Sequence, residues 1–254
     1  YYIKSPLYSG LFLCVYMYIL IFIVNKEIVM ALPFSKEAGK KNNKKGYRFL
    51  LSLNEEQKQA KREILENTIS IVLGKAGSGK TLLACQIALQ EVLEKKRKKI
   101  IITRPTISKE DLGHLPGNME EKMSPWVAPI YGNMFQLLRK ERVEKMIKDG
   151  QIEIVPVSYM RGRTFLDSCV IVDECQNLDH EQTLMILQRI GLNSRMMFCG
   201  DSQQIDLKRG GDSGLKFLSS VTSVKGLHTF ELLENHRHPI LDDILNVYKK
   251  KLNK

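Results

Sequence analysis

The segment GKAGSGKT, Gly74–Thr81, constrains this chain most, because it fits a phosphate-binding loop between a strand and a helix. The apolar SIVLG precedes it, and KTLLACQIALQEVLEKK, with the apolar spacing of a helix, follows it. Glycines let backbone N–H groups approach a phosphate, and the helix N-terminus adds partial positive charge. We predict that Lys80 reaches the β- and γ-phosphates of a nucleotide and that the Thr81 hydroxyl ligates Mg²⁺. The predicted phosphate-binding residues are Gly74, Lys75, Ala76, Gly77, Ser78, Gly79, Lys80 and Thr81.

Two adjacent carboxylates end the apolar segment CVIVDE, Cys169–Glu174. In an α/β sheet, ligands bind at the carboxyl ends of the strands. We predict that Asp173 holds Mg²⁺ with its hydration shell and that Glu174 deprotonates the attacking water. A base in this position indicates hydrolysis rather than phosphoryl transfer to a small molecule.

Other apolar segments have the length and composition of buried strands. They are KIIITRP (Lys99–Pro105), IEIVPV (Ile152–Val157) and MMFCGD (Met196–Asp201), and a helix is predicted over His180–Gly191. A capping-box pattern at Asn54 and Gln57 predicts the start of a helix before the loop. Strands that are apolar throughout are covered on both faces. The predicted fold is therefore α/β, a three-layer P-loop NTPase with a mostly parallel central sheet.

The net charge of +11 over 254 residues favours a polyanionic partner such as nucleic acid. The cysteines are Cys14, Cys85, Cys169, Cys175 and Cys199; most lie in apolar segments, and no C-x-x-C pair occurs. This pattern indicates free buried thiols rather than a zinc or disulfide site. We therefore expect a reducing, cytoplasmic compartment.

The sequence divides into three predicted parts. Residues 1–29 contain the apolar run LFLCVYMYILIFIV, which is either a short membrane anchor or translated upstream sequence preceding a start at Met30. A membrane partner is expected only if residues 1–29 are genuine. Residues 30–50 are predicted to be a basic flexible arm, either a contact for nucleic acid or a solvated linker, and residues 51–254 are predicted to be the P-loop domain.

Six segments together resemble the PhoH family of P-loop ATPases, which is similar to the N-terminal ATPase domain of superfamily 1 helicases. They are GKAGSGKT, TRPTISKEDLGHLPGNMEEKMSPWVAPIYGNM, PVSYMRGRTF, VIVDECQN, GDSQQID and ENHRHPIL. The resemblance covers roughly Leu53 to Lys250 and implies that the predicted P-loop NTPase fold is of the RecA/helicase-like kind. The stretch that begins with TRP is more diagnostic than the loop.

The resemblance implies roles for further residues. Gln57 matches the glutamine that reads the adenine edge, which would prefer ATP over GTP. Gln204, rather than Gln203, falls on the glutamine that senses the γ-phosphate, and Arg237 falls on an arginine that approaches it.

Nucleic-acid contacts are implied at two sites. Thr103 and Arg104 resemble a helicase motif that touches a single strand. Arg161 and Arg163 are a second phosphate contact, arginines offered to a neighbouring subunit's ATP, or plain surface charge. Trp126 and Tyr131 either stack on bases or fill a core.

Superfamily 1 motors contain two such domains, and this sequence resembles one. We therefore expect either a homo-oligomer in which a neighbour completes the site or a switch that changes its grip on RNA or DNA. The leading hypothesis is a Mg²⁺-dependent ATPase coupled to single-stranded nucleic acid, with RNA favoured. The alternative is an ATP-dependent switch acting on a protein partner or a membrane. A kinase role, suggested by the family's association with phosphate starvation, is disfavoured by Glu174.

Overall fold

The computed structural model describes residues 46–105, 119–202, 204, 213–221, 223–237, 240 and 244. Residues 45–237 form one compact unit. The predictions for residues 1–45, for Gln203 and for the side chain of Trp126 lie outside the described part of the chain. Within that part, no helix has the length and apolar character needed to cross a membrane.

The described chain is a series of helices and strands. In order they are α1 (Glu55–Glu66), β1 (Ile69–Gly74), α2 (Lys80–Leu93), β2 (Lys99–Thr103), α3 (Met119–Leu137), α4 (Lys140–Lys148), β3 (Ile152–Ile154), β4 (Ser168–Val172), α5 (His180–Leu187), β5 (Arg195–Gly200), α6 (Gly214–Ser220) and β6 (Leu227–Leu232). Short 3₁₀ turns at Val157–Tyr159 and Cys175–Asn177 follow β3 and β4.

The strands form one sheet in the order β3-β2-β4-β5-β1-β6, and all their pairings are parallel. This confirms the predicted α/β fold with a parallel central sheet. All five positions of β4 are buried, as expected for a strand covered on both faces. Because β4 and β5 lie between β2 and β1, residues that are distant in the sequence meet at the ends of these strands.

Two apolar cores cover the two faces of the sheet and make it the middle of three layers. Val72 of β1 packs with Leu83 of α2 and Met134 of α3 on one face. Ile71, the preceding residue of β1, packs with Ile186 of α5 on the other. Four cysteines predicted to be buried thiols are buried and free, namely Cys85, Cys169, Cys175 and Cys199.

Two elements are shorter than predicted. The third strand ends at Ile154 rather than Val157, because the chain leaves the sheet at Pro156, which caps the 3₁₀ turn Val157–Tyr159. The helix from His180 ends at Leu187 rather than Gly191. Its predicted last residues pair with Phe165 instead: the Phe165 N–H donates to the Arg189 carbonyl (2.8 Å), and the Gly191 N–H donates to the Phe165 carbonyl (2.9 Å).

The predicted capping box starts α1. The Gln57 N–H donates to Asn54 Oδ1 (2.7 Å), and the Asn54 N–H donates to Gln57 Oε1 (3.2 Å). Since Gln57 Oε1 accepts this N–H, the amide orientation is set and Nε2 is the end that points away from the cap. The side chain is 4% exposed.

Candidate nucleotide site

The loop after β1 has the backbone shape that its glycines allow. Gly77 has φ +91° and Gly79 has φ +84°, in the left-handed region that residues with a Cβ rarely adopt. A Cβ on Gly77 would lie 2.6 Å from Cγ of Arg237, and one on Gly79 would lie 2.6 Å from Nε2 of Gln57. Gln57 and Arg237, two predicted site residues that are far from each other in the sequence, therefore both lie directly against the loop.

Lys80 and Thr81 begin α2 immediately after the loop. The Lys80 ammonium donates to the carbonyl oxygens of Gly74 (2.7 Å) and Lys75 (3.0 Å), which places its charge inside the loop. The Thr81 hydroxyl donates to Asp173 Oδ1 at 2.6 Å. This bond joins the loop after β1 to the end of β4, across the intervening strand β5.

Asp173 is 5% exposed. Burial raises the pKa of its carboxyl above the ordinary aspartate value, against the lowering effect of the Thr81 hydrogen bond, and the Glu174 charge raises it further. A carboxylate and a hydroxyl in contact are hard oxygen ligands of the kind that Mg²⁺ prefers. The pair fits a magnesium ion held by Thr81 and Asp173, directly or through water.

The loop also fits a phosphate. Ser78 is 2% exposed, and its Oγ has no hydrogen-bond partner among the described residues. Buried hydroxyls nearly always have a partner, so one without it inside a glycine loop is suited to a phosphate oxygen. Its Oγ lies 2.6 Å from where a Cβ on Gly74 would be.

Glu174 follows Asp173 in an unusual conformation. Its φ of +51° is uncommon for a residue other than glycine and marks local strain of the sort found at functional sites. Both carboxylate oxygens have partners: an Arg104 guanidinium nitrogen donates to Oε1 (3.2 Å), and Gln176 Nε2 donates to Oε2 (2.7 Å). The predicted base is therefore held in one orientation at the sheet edge.

Gln176 is a site residue that the sequence analysis missed. It is 1% exposed, donates to Glu174 and accepts the Asp201 N–H at 3.1 Å. Asp201 in turn accepts the Ala76 N–H at 3.1 Å through Oδ2. A continuous hydrogen-bonded path therefore runs from the end of β4 to the end of β5 and on to the loop. The sequence feature that could have identified Gln176 is an amide side chain two residues after the strand-end carboxylate Glu174, in the segment DECQN.

Gln204 lies in the turn after β5. Its N–H donates to the Asp201 carbonyl at 3.2 Å, and the residue is exposed. This turn starts at the same sheet edge as the loop.

The segment after β6 packs against the loop and the start of α1. The Glu56 carboxylate accepts the N–H groups of Leu233 (2.7 Å) and Glu234 (3.2 Å), and the His236 N–H donates to the Gly77 carbonyl (3.1 Å). His236 Nε2 lies 3.5 Å from Gln57 Nε2. His236 was not among the predicted residues, although it stands next to Arg237 in ENHRH.

The residues predicted to contact nucleic acid differ in exposure and in their partners. The Thr103 side chain is buried, so its position does not support a direct contact with a strand. Arg104 is partly exposed and pairs with Glu174, Arg161 is exposed, and Arg163 pairs with Glu153 at 2.7 Å. Tyr131 packs against the core, as the second of its two interpretations predicts.

Comparison with known proteins places the chain in a family. A family model described as PhoH-like protein matches residues 50–249. The chain is 39% identical over 188 residues to the PhoH-like protein of Bacillus subtilis, covering 72% of this chain and 59% of the relative. It is 35% identical over 201 residues to the PhoH-like protein of Synechocystis sp., covering 78% and 61%. The chain thus spans about three fifths of the length of these curated relatives.

Solved structures resemble the fold weakly. The Pif1 helicase from Candida albicans aligns with a TM-score of 0.43 and 17% identity, over 77% of this chain and 43% of that chain. Bacteroides Pif1 bound to ssDNA aligns with a TM-score of 0.39 and 18% identity, over 77% and 46%. Similarity at this level carries no functional argument. The match over residues 50–249 and the identity with curated relatives show that this chain belongs to the PhoH-like protein family.

Proposed function

We propose that this protein binds ATP with Mg²⁺, hydrolyses it, and couples hydrolysis to binding or remodelling of single-stranded nucleic acid, RNA in preference to DNA, as a homo-oligomer. One observation carries the hydrolytic part. The 2.6 Å bond between the Thr81 hydroxyl and Asp173 joins the Gly74–Thr81 loop to the carboxyl end of β4, where Glu174 follows Asp173.

Each group of the site has one proposed role in hydrolysis. Backbone N–H groups of the loop and the Lys80 ammonium hold the β- and γ-phosphates, while Thr81 and Asp173 hold Mg²⁺. When bound, Mg²⁺ neutralises negative charge on the phosphate oxygens. Glu174 orients a water and accepts its proton as the water oxygen bonds to the γ-phosphorus. The bond from that phosphorus to the bridging oxygen then breaks, and ADP and phosphate result.

Two residues that lie against the loop complete the proposal. Gln57 sits beside Gly79 and is proposed to contact the adenine. Arg237 packs on Gly77 of its own chain and is proposed to stabilise charge on the γ-phosphate. Gln204, in the turn after β5, is proposed to sense whether the γ-phosphate is present.

The nucleic-acid part rests on charge. The net charge of +11 favours a polyanion, and Arg104 lies at the site edge with its side chain 28% exposed. Arg161 is exposed and is proposed to meet either the strand or a neighbouring subunit, and Arg163 is proposed as a weaker contact because Glu153 already holds it.

The test is steady-state ATP hydrolysis by the full chain, with and without single-stranded RNA and DNA, at low and high salt. Loss of a general base lowers turnover by about 10²–10⁴-fold, so Glu174→Gln should show a loss of this order. Glu181→Gln, at an exposed glutamate in the first turn of α5, is the matched control and should keep wild-type turnover.

Each outcome decides one part. Stimulation by a single strand that weakens with salt supports the coupled function. Hydrolysis that requires Glu174 but ignores both polymers at every salt concentration rejects the nucleic-acid part and favours a switch acting on a protein partner. Wild-type turnover in Glu174→Gln rejects the assignment of the base.

A further inference from the structure

Arg104 and Glu174 form an ion pair at the edge of the sheet where nucleotide is proposed to bind. An Arg104 guanidinium nitrogen lies 3.2 Å from Glu174 Oε1, and the two side chains are 28% and 39% exposed. The pair follows from the sheet. Arg104 comes directly after β2, β2 pairs with β4, and the Asp173 N–H donates to the Thr103 carbonyl at 2.9 Å. The residue expected to touch a strand therefore touches the proposed catalytic base instead.

This contact occupies an oxygen that the base needs. Glu174 Oε1 accepts from Arg104 and Oε2 accepts from Gln176, so both oxygens that could take a proton from water already have donors. Each of these donors uses a lone pair of the carboxylate that would otherwise accept from water. In this arrangement Glu174 is held in place, and the positions around its oxygens are shared with Arg104 and Gln176.

The two donors differ in how firmly they are placed. Gln176 is 1% exposed and also accepts the Asp201 N–H, so it is anchored on both sides. Arg104 is partly exposed and contacts Glu174 through one guanidinium nitrogen, whereas a guanidinium can bind phosphate oxygens through two. A phosphate arriving at the edge can therefore take Arg104 from Glu174, while Gln176 keeps the carboxylate in position.

We propose that Arg104 is a positioning residue that restrains Glu174 until a phosphate of a single-stranded nucleic acid displaces it, so that strand binding raises ATP hydrolysis. This inference rests on the proposed function, because it assumes both hydrolysis by Glu174 and a nucleic-acid partner. It adds the residue through which the partner acts. In this scheme Arg104 has two alternative partners, the Glu174 carboxylate and the strand phosphate, and never both at full strength.

The experiment compares Arg104→Gln with the full wild-type chain in the same turnover assay. Without nucleic acid, Arg104→Gln should hydrolyse ATP roughly two- to fivefold faster than wild type, which is the range that a partly exposed ion pair contributes. Single-stranded RNA should raise wild-type turnover and leave the variant unchanged. Arg104→Lys keeps a charged donor, so it should keep a low basal turnover and remain stimulated.

Lys98→Gln is the matched control. Lys98 pairs with Asp167 at 2.7 Å between the amino ends of the same two strands, and Lys98 is more exposed than Arg104. Its removal takes away one positive charge and one ion pair between β2 and β4 without touching Glu174. Basal turnover and the factor of stimulation should both match wild type.

The results separate the two proposals. If wild type is stimulated but Arg104→Gln keeps the wild-type basal rate or is still stimulated, the Arg104 inference is wrong and the proposed function stands. If wild type is not stimulated by RNA or DNA, the strand-coupled function is wrong and the inference falls with it. If Arg104→Gln is recovered unfolded, the Arg104→Lys protein decides: a raised basal rate there contradicts restraint by charge.

Discussion

Arg195→Met should destabilise the protein strongly without changing the nucleotide site. Arg195 is the first residue of β5, at the sheet edge opposite the loop, with a side chain 7% exposed. It donates to the carbonyl oxygens of Ile64, Leu65 and Asn67 at the end of α1 and to the Glu91 carboxylate. The last turn of α1 contains no basic residue of its own, so Arg195 supplies the charge that a helix C-terminus prefers.

The expected decrease in the free energy of unfolding follows from these contacts. Removing one member of a buried ion pair destabilises a protein by about 3–5 kcal/mol, because the other charge stays buried. Glu91 is 3% exposed but keeps a second partner, Arg97, at 3.0 Å. We therefore expect a loss near the lower end, about 3 kcal/mol, out of a total stability of about 5–15 kcal/mol for a domain.

Urea denaturation measures this loss as a lower transition midpoint at an unchanged slope. Lys98→Gln removes an exposed pair and should cost under about 1 kcal/mol. The double variant with Glu91→Met should be less destabilised than the sum of the two single variants, by at least about 1 kcal/mol. A loss in Arg195→Met no larger than that in Lys98→Gln would refute the argument that this buried pair supports the end of α1.

Three further predictions concern the site. Gly79→Ala places a Cβ 2.6 Å from Gln57 Nε2 at φ +84°, so ATP affinity measured by fluorescence anisotropy should fall roughly fivefold or more, given ~1–2 kcal/mol for a left-handed residue. Asp173→Asn should abolish Mg²⁺-dependent turnover yet raise the free energy of unfolding by about 0.5–2 kcal/mol, because it removes a buried charge. Arg237→Ala should lower kcat more than it changes KM, and mixing it with Glu174→Gln should restore no activity, because Arg237 packs on Gly77 of its own chain.

The stability of the protein should depend on pH through Asp173. Burial raises its pKa in the folded state, so the folded protein binds this proton more tightly than the unfolded chain does. This contribution to stability is present below the ordinary aspartate pKa and is lost as pH rises through the raised value. Asp173→Asn should therefore stabilise the protein most on the alkaline side of that window, and a constant difference at all pH values would contradict the assignment.

Recovery of turnover in the Arg237→Ala and Glu174→Gln mixture would show that Arg237 acts across a subunit boundary. Unchanged ATP affinity in Gly79→Ala would show that the left-handed conformation of Gly79 and its contact with Gln57 do not support ATP binding.

Local patterns in the sequence were sufficient for the loop, the parallel sheet and the start of α1. The spacing of GKAGSGKT implies its backbone shape because few residues other than glycine tolerate positive φ, as Gly77 and Gly79 confirm. The apolar run before Asp173 implies a strand covered on both faces, and β4 is buried along its whole length. The Asn54–Gln57 capping box involves residues three apart, so it too is a local property.

Contacts between strands could not be predicted from these patterns. Apolar periodicity shows that a segment is a strand but not which strand lies beside it, and the order β3-β2-β4-β5-β1-β6 is a property of packing. That order alone brings Arg104 to Glu174 and Gln176 to Asp201, and it buries Thr103, which the sequence suggested as a strand contact. The sequence by itself therefore determined the chemical groups of the site and their local geometry. Only the tertiary structure decided which groups hold one another, because hydrogen bonds and ion pairs depend on distances of a few ångströms between segments whose lateral order the sequence does not encode locally.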